Sequence, residues 1–324
     1  WIEGILSLLI AVSAETACDA SFQPAPPKNV IIQQLERTEW QPTVPFINQA
    51  IQGDYPVVLN NTVASLWSAI NKWTLETISE RLASQHLTMK VKSTTEPTRT
   101  FYYYHPTPLT TEASVSEAYK PQTFTTVNMT PAQFFSLSGP QAKDAELLPQ
   151  HLSYAGKLDD WGEESWKDVH PIDPFVGTLS ALNFSAKDSH LFRQTHVWIS
   201  PPHTTTPAHY DEFHNAYVQV LGTKRFWLFP PTAWEQLYLQ PLLHPGHRSA
   251  QVNLSQLEPD LNKFPTFTNL TALEVILKPG EVLFIPALWF HHVTAMDETA
   301  VSVSVWSQFN ASELITDLAS KPLP

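Results

Sequence analysis

Cysteine, glycine and charge are all scarce in this chain. Its 324 residues include one cysteine, Cys18, and nine glycines, and charged residues make up 15%. A single cysteine excludes an intramolecular disulfide framework and a zinc site built from several thiolates. The sequence also lacks an internal repeat, a Walker loop, a dinucleotide-binding glycine fingerprint and a serine-nucleophile elbow, so the classes that these motifs define are not indicated.

Positively charged residues are fewer than negatively charged ones. The chain has 19 lysines and arginines and 31 aspartates and glutamates, which gives a formal net charge of −12. Such a surface repels a phosphate backbone unless cations cluster, and the pairs Lys90 with Lys92 and Lys224 with Arg225 are too small to form a stripe. We therefore expect no nucleic-acid partner, which disfavours a tRNA or nucleosome substrate. A basic or neutral peptide or protein substrate fits better.

Apolar and rigid residues are abundant by comparison. Hydrophobic residues make up 43% of the chain, with 11 tryptophans and 28 prolines. A chain of this length and composition can bury a large core, and all-β or mixed barrels often run this long as one domain. The sequence therefore predicts a single large barrel.

The segment Thr206-Pro-Ala-His-Tyr-Asp211 carries the strongest chemical signal. Residues i and i+2 of a strand project from the same face, so His209 and Asp211 can present an imidazole and a carboxylate to one ion. The run Val282 to His291 indicates an apolar strand, a turn near Pro286 and a second strand that begins close to His291. Two histidines and a carboxylate with open positions opposite suit non-haem Fe(II).

An isolated His-x-Asp pair also occurs by chance, so the context decides. Residues 215–229 are typical of two strands joined by a tight turn at Gly222-Thr223, with Lys224 at the start of the return strand. A lysine facing an apolar barrel interior would pair strongly with a carboxylate. The alternative is an ordinary solvated lysine in a turn.

Several motifs in this order resemble one family, the JmjC/cupin Fe(II)- and 2-oxoglutarate-dependent oxygenases. The closest resemblance is to its asparaginyl hydroxylase branch, typified by factor inhibiting hypoxia-inducible factor. JmjC-only protein hydroxylases share the same landmarks, and Ala287-Leu-Trp-Phe-His291 resembles the tRNA wybutosine hydroxylase branch. The motifs are Thr206–Glu212, Lys224-Arg225 with Leu228–Pro231, Gln251-Val252, Lys263–Pro265 and Pro279–Pro286.

The resemblance implies a mainly β fold, a double-stranded β-helix (cupin/JmjC jelly roll) with flanking N-terminal helices. We expect an N-terminal helical and strand region at residues 1–90, packed on the barrel. The catalytic barrel is expected at 91–309, with its core at 190–309, and a short C-terminal helix or tail at 310–324.

The resemblance also implies the roles of individual residues. His209, Asp211 and His291 would form the catalytic metal triad that binds Fe(II), and Lys224 would pair with the distal carboxylate of 2-oxoglutarate, with O2 as the second cosubstrate. Further cosubstrate contacts are expected from Thr206, Asn215, Tyr154, Ser304 and Trp306. Ser304 departs from the asparaginyl hydroxylases, which carry an asparagine there, so its contact would be weaker or mediated by water. His214 and His292 have the opposite strand parity to the ligands and are interpreted as packing or supporting histidines.

The two ends of the chain leave alternatives open. Ile2, Ile5, Leu6, Leu9 and Val12 recur at helical spacing, although residues 4–14 also resemble the apolar part of a signal peptide. Six Asn-x-Ser/Thr sequons keep a secretory location open beside the preferred cytoplasmic or nuclear one. Residues 310–318 can form one short helix, which favours a monomer.

The sequence therefore predicts an oxygenase that hydroxylates a side chain of a peptide or protein, without a membrane partner. An N-methyl-lysine demethylase is the alternative within the same enzyme class. A non-catalytic metal-binding cupin is the alternative of a different class, and its signature would be loss of a triad residue or of Lys224.

Overall fold

A computed structural model describes residues 25–39, 55–96, 98–102, 123–138, 151–170, 194–242, 244, 246–296 and 298–308. Within these ranges the chain is built mainly from β-strands in two sheets. In chain order the strands are β1 (Val30–Gln34), β2 (Arg37–Glu39), β3 (Val57–Asn60), β4 (Met89–Thr94), β5 (Phe124–Met129), β6 (His151–Lys157), β7 (Gln194–Ser200), β8 (Thr205–Tyr210), β9 (Phe213–Leu221), β10 (Lys224–Phe229), β11 (Leu270–Leu277), β12 (Val282–Ile285), β13 (Phe290–Ala295) and β14 (Ala300–Gln308).

The smaller sheet has the order β1-β11-β10-β13-β8, and the larger sheet has the order β2-β3-β12-β9-β14-β7-β6-β4-β5. Most neighbouring strands run antiparallel, while β1 with β11 and β2 with β3 are parallel. Consecutive strands of the chain often belong to different sheets, as β8 and β9 or β12 and β13 do. Because the chain crosses repeatedly between two facing sheets, the architecture is that of a jelly roll, and the predicted mainly β fold is confirmed.

Short helices cover the outer face of the larger sheet. They are α1 (Ser68–Lys72), α2 (Leu75–Ser84), α3 (Pro131–Ser138) and α4 (Glu163–Asp168). Three 3-10 helices lie at Val63–Leu66, Leu158–Trp161 and Pro231–Trp234. Thr130 caps the start of α3, because its hydroxyl accepts a hydrogen bond from the Gln133 backbone amide at 3.2 Å.

Strand alternation separates the core into layers. On β14 the valines Val301, Val303 and Val305 are almost fully buried in the cluster formed with the helices. The intervening Ser302 and Ser304 point between the sheets, since successive strand residues face opposite sides. A second cluster between the sheets includes Phe226, Leu228, Val275, Leu283 and Ile285. The apolar side chains thus hold both sheets while leaving polar residues at one end of the interior.

The connection between β9 and β10 differs from its predicted form. β9 begins two residues before the predicted Asn215, and β10 spans Lys224 to Phe229 as predicted, with Gly222 and Thr223 between the two strands. They do not pair as a hairpin, because β9 pairs with β12 and β14 while β10 pairs with β11 and β13. Gly222 has φ +65°, and a Cβ there would lie 2.8 Å from the Thr299 carbonyl oxygen, so a glycine is required at this corner.

The expected three-part division of the chain stays a proposal. Strands from residues 25–60 pair into both sheets: β1 pairs with β11, and β3 pairs with β12. The predicted helices at residues 1–14 and 310–318 lie outside the described residues. Among the described helices, none has the length and apolar character needed to cross a bilayer.

Asp168 links the helices on the larger sheet. Its carboxylate accepts hydrogen bonds from Ser68 Oγ at 2.6 Å, Trp73 Nε1 at 3.0 Å, Arg81 Nη1 at 2.7 Å and Lys72 Nζ at 3.1 Å. Burial alone would raise the pKa of Asp168, but these hydrogen bonds together outweigh burial and hold the pKa far below its usual range. The ionised carboxylate is therefore part of the folded state.

We predict that Asp168→Asn lowers the free energy of unfolding at pH 7 by about 2–3 kcal/mol, since a buried carboxylate loses its charged hydrogen bonds to partly exposed Arg81 and Lys72. Because the folded-state pKa is depressed, the wild-type contribution is present above about pH 4 and disappears as the pH falls further. Urea unfolding at several pH values measures this difference. Glu163→Gln on the same helix is the control, because Glu163 is exposed and should leave stability unchanged. A variant D168N as stable as wild type at pH 7 would contradict the assignment.

Candidate metal centre and adjoining cavity

Antiparallel pairing of β8 with β13 brings two distant histidines together. His209 lies directly opposite His291 in the register, and their ring centroids are 4.2 Å apart. Asp211 follows β8 by one residue, and its Oδ2 lies 3.6 Å from His291 Nε2. The candidate ligand atoms of all three residues lie within 4.8 Å of one another. One ion can therefore contact all three.

The hydrogen bonds of the two rings select the nitrogen that faces the ion. His209 Nδ1 lies 2.9 Å from the Pro207 carbonyl oxygen, and His291 Nδ1 lies 3.1 Å from the Trp289 carbonyl oxygen. A carbonyl can only accept, so each Nδ1 carries the proton and each Nε2 keeps its lone pair. Both rings are thus oriented as metal ligands before any metal binds.

The electrostatic surroundings keep His209 neutral. Burial first, and then the neighbouring His291, lower the pKa of His209 to about 4, because together they outweigh the opposite effect of Asp211. A metal ligand must be the neutral imidazole, so this environment favours ligation near neutral pH. The donor set of two imidazoles and one carboxylate suits Fe(II), which leaves coordination positions open for other ligands.

The loop before β13 is tied to the segment that carries Asp211. The Leu288 amide donates to the Asp211 carbonyl oxygen at 2.8 Å, and the Ala287 amide donates to His214 Nδ1 at 3.2 Å. Leu288 adopts φ 67°, a conformation that these bonds support. His214 therefore supports the loop and does not face the ion, as its strand parity predicts.

His292 faces away from the triad. Its ring stacks on Trp227 with centroids 5.3 Å apart and planes 13° apart. Burial, followed by the charge of Arg225, lowers the pKa of His292 to about 3. The ring is therefore neutral and contributes to packing. Of these two adjacent residues of β13, His291 thus faces the metal site and His292 faces the outer layer.

A cavity of about 220 Å³ adjoins the triad between the two sheets. It is lined by all three triad residues and also by four of the expected cosubstrate contacts, Thr206, Asn215, Lys224 and Trp306. These residues come from β8, β9, β10 and β14, so both sheets contribute. The structure thus brings together seven of the nine residues predicted for the site.

Lys224 is buried at the inner end of this cavity, with 3% of its surface exposed. Its Nζ donates a hydrogen bond to the Tyr217 hydroxyl oxygen at 2.7 Å. Burial lowers the pKa of Lys224 to about 7. Among the described residues no carboxylate lies within ion-pair distance of this ammonium, so the cavity has an unneutralised cation where an anionic ligand would fit.

Besides Thr204 Oγ1, two buried polar atoms of cavity-lining residues lack hydrogen-bond partners in the described part of the chain. They are Asn215 Oδ1 and Trp306 Nε1, from residues directly opposite one another on β9 and β14. Buried polar groups in folded proteins are nearly always hydrogen-bonded, and both side chains line the cavity. An acceptor and a donor left open beside a metal triad fit a polar ligand in the cavity.

Tyr154 requires a correction. It does not line the cavity but faces the helical layer, where its hydroxyl accepts a hydrogen bond from Trp161 Nε1 at 3.2 Å. Its neighbour Ser153 lines the cavity instead. The sequence motif identified the correct strand, β6, but the parity of the strand reverses the two side chains.

Ser304 is also screened from the cavity. Its hydroxyl accepts a hydrogen bond from Trp198 Nε1 at 2.7 Å, and the Trp198 side chain lines the cavity in its place. The expected weak contact of Ser304 with the cosubstrate is therefore replaced by a role in holding Trp198.

Tyr217 and Arg248 are among the cavity residues that the sequence analysis did not assign to the site. Tyr217 lies two residues after Asn215 on β9, and this spacing alone could have revealed that both face the same side. Arg248 follows a loop that no periodicity describes, and its Nη1 lies 3.8 Å from Asp211 Oδ1 with 44% of the side chain exposed. Arg248 therefore stands where the cavity meets the solvent.

Comparison with known proteins gives a family match and several relatives. Residues 43–312 match the family model described as a cupin-like domain. The chain is 40% identical to the tRNA wybutosine-synthesizing protein 5 of Mus musculus over 159 residues, which cover 48% of each chain. It is 38% identical to the lysine-specific demethylase 8 of Xenopus tropicalis over 113 residues, covering 34% of this chain and 24% of the relative.

A third relative is the HSPB1-associated protein 1 homolog of Danio rerio, 34% identical over 136 residues. That match covers 41% of this chain and 29% of the relative. The matched part thus spans less than half the length of each of these relatives. The three names describe the relatives themselves.

We predict that His291→Ala weakens Mn²⁺ binding by about 100-fold or more, since even loss of a residue that only supports a ligand costs 10–100-fold. His292→Ala is the matched control from the adjacent position, and it should keep wild-type metal affinity although it removes a packed ring. Calorimetric titration with Mn²⁺ measures both. Equal losses in the two variants would contradict the selection of His291 as the ligand.

Proposed function

We propose, given that the chain belongs to the cupin-like domain family, that it is an Fe(II)- and 2-oxoglutarate-dependent oxygenase that hydroxylates a side chain of a peptide or protein. One observation carries this proposal. The His209, Asp211 and His291 ligand set and the unneutralised Lys224 ammonium border the same cavity.

The metal would be held by His209 and His291 through Nε2 and by Asp211 through its carboxylate. When Fe(II) and 2-oxoglutarate are bound, they supply the activation of O2 for oxidation of a C–H bond. The protein contributes ligand orientation through the Pro207 and Trp289 carbonyl oxygens. It also contributes a shaped, largely apolar cavity that limits the access of water.

The cosubstrate would lie between the triad and Lys224. The ammonium would bind its distal carboxylate, because an anion offsets the cost of burying that cation. Asn215 and Trp306 would bind its polar atoms nearer the metal, which accounts for the two buried atoms without partners. Thr206 lies on the same cavity wall and offers a hydroxyl.

A peptide or protein substrate is favoured by charge. The chain carries a net charge of −12, which favours basic or neutral partners over a phosphate backbone. Two relatives are named as a lysine-specific demethylase and as an HSPB1-associated protein, which also supports an amino-acid side chain or a protein as the target. Asparaginyl specificity and lysine demethylation both stay predictions, as does the cytoplasmic or nuclear location of a monomer.

A tRNA substrate is the second candidate. The relative named as a tRNA wybutosine-synthesizing protein shares 40% identity with this chain over 159 residues. The described cavity lining also includes three cations, Lys92, Lys224 and Arg248, against one carboxylate, Asp211. A hydroxylation screen that includes both peptide libraries and tRNA pools separates the two candidates by which pool gains one oxygen atom in mass.

An anaerobic titration tests the enzyme class. Fe(II)-loaded protein should develop a weak visible charge-transfer band when 2-oxoglutarate is added, because the cosubstrate chelates the metal. Folded, Fe(II)-loaded protein that shows neither the band nor calorimetric binding would favour a non-catalytic metal-binding cupin instead.

We predict that Lys224→Ala weakens 2-oxoglutarate binding by about 100-fold, corresponding to about 3 kcal/mol for a charge-assisted contact in a buried site. Metal binding should stay close to wild type, because Lys224 lies on β10 and is not a ligand. Calorimetric titration of the Mn²⁺-loaded variant measures both constants. An unchanged cosubstrate constant would refute the role of the lysine.

We also predict that cosubstrate affinity depends on pH. The pKa of Lys224 is lowered to about 7 by burial, so below this pH the ammonium is already present. Above it, each binding event must take up a proton, and affinity should fall by about tenfold per pH unit. Titrations from about pH 6 to pH 9 measure this slope, and K224A should lose it. A flat wild-type profile would count against the assignment.

A further inference from the structure

Asn-x-Ser/Thr sequons are more frequent in this chain than its composition explains. Half of the asparagines have a serine or threonine two residues later, namely Asn60, Asn128, Asn183, Asn253, Asn269 and Asn310. Because about one residue in six is serine or threonine, random placement would give about two sequons. The sequon is the acceptor signal for N-linked glycans, and the proposed oxygenase chemistry makes no use of this excess.

Four of these asparagines lie in the part of the chain that the structure describes, and their exposure separates them. Asn128 and Asn269 are exposed, whereas Asn60 and Asn253 are half-buried. The Asn253 side-chain oxygen accepts a hydrogen bond from the Ser255 amide at 2.9 Å, which ties that sequon into a turn. A glycan is bulky and hydrated, so it fits best on an asparagine that is exposed in the folded protein. Asn128 and Asn269 meet this requirement.

Asn128 lies on the outermost described strand of the larger sheet. That strand, β5, pairs with β4, and Asn128 is opposite Lys90 in the register. Its neighbours Val127 and Met129 pack against the helical layer, so Asn128 points to the other side of the strand. The sequon residue Thr130 is also exposed. A glycan at Asn128 would project into solvent beside this edge and block pairing with a strand of a second chain.

Asn269 lies in the bend that leads into β11. Its backbone has φ 52°, a left-handed conformation that asparagine adopts more readily than most residues. The next residue, Leu270, is buried in the core, and Thr271 is half-buried on β11. The bend therefore holds the Asn269 side chain at the surface while the strand enters the sheet.

We propose that Asn128 and Asn269 are sites of N-linked glycosylation, with a lipid-linked oligosaccharide diphosphate as the donor. In the transfer, asparagine Nδ2 forms a bond to the anomeric carbon of the first sugar and gives up one proton. The bond from that carbon to the diphosphate oxygen breaks, and the lipid diphosphate leaves. Because this transfer takes place in the lumen of the secretory pathway, the proposal favours a secretory location over a cytoplasmic or nuclear one.

The two sites are independent of the proposed function. Neither asparagine lines the cavity beside the metal triad. Glycans at Asn128 and Asn269 therefore leave the cavity lining unchanged, and the oxygenase chemistry holds whether or not they are attached.

The test uses the full chain isolated from cells that make it. Peptide-N-glycosidase digestion in heavy-oxygen water converts each glycosylated asparagine to an isotope-labelled aspartate, which peptide mass spectrometry locates. Asn262 is the matched control, because it is exposed but is followed by Lys263 and Phe264 and so belongs to no sequon. Any label at Asn262 measures spontaneous deamidation.

We expect label at Asn128 and Asn269 and none at Asn262. In the same cells, Asn128→Gln and Asn269→Gln should each lose one glycan-sized step in the mass of the intact protein, while Asn262→Gln should lose none. Asn128 and Asn269 labelled no more than Asn262 would overturn the proposal, and label at one of them alone would overturn the assignment of the other. Neither result would bear on the metal centre or the oxygenase function.

Discussion

The antiparallel contact between β8 and β13 is the constraint on which the site depends. It sets His209 opposite His291 although 82 residues separate them in the chain, and the same register positions the loop that holds Asp211. A register shift after His291 lets the strand resume pairing at Val293 with Thr206. Because a slip of one residue would turn one histidine to the outer layer, the register is as important as the ligands themselves.

Facing sheets give the cavity its chemistry. Lys224 on β10 and Tyr217 on β9 belong to different sheets, and their hydrogen bond crosses the interior. An antiparallel hairpin would have placed the two side chains as neighbours within one sheet. The corner at Gly222 instead sends the chain across, so that the two side chains meet face to face. The buried lysine thereby becomes a group that a ligand can neutralise.

The sequence predicted the strands and the metal triad because strand alternation is a local property, whereas Thr206, Asn215 and Trp306 were expected only from the resemblance to the family. His209 with Asp211, the start of β13 and the position of Lys224 could all be inferred from spacing of two and from turn residues. Tyr154 and Tyr217 show where that reasoning stops. The motif around Tyr154 identifies a strand but does not show which of its residues face the cavity. In the structure, Ser153 is the residue that lines it. Tyr217 satisfied the spacing rule, but the sequence offered no reason to prefer it.

The sequence by itself determined the mainly β fold and the identity of the candidate ligands, because these follow from local periodicity and side-chain chemistry. Only the tertiary structure decided which sheet each strand joins, which face of β6 meets the cavity and that Lys224 pairs with Tyr217. Such choices depend on contacts between residues far apart in the chain. Their free energies come from burial and register across two sheets, and no short window of sequence contains them.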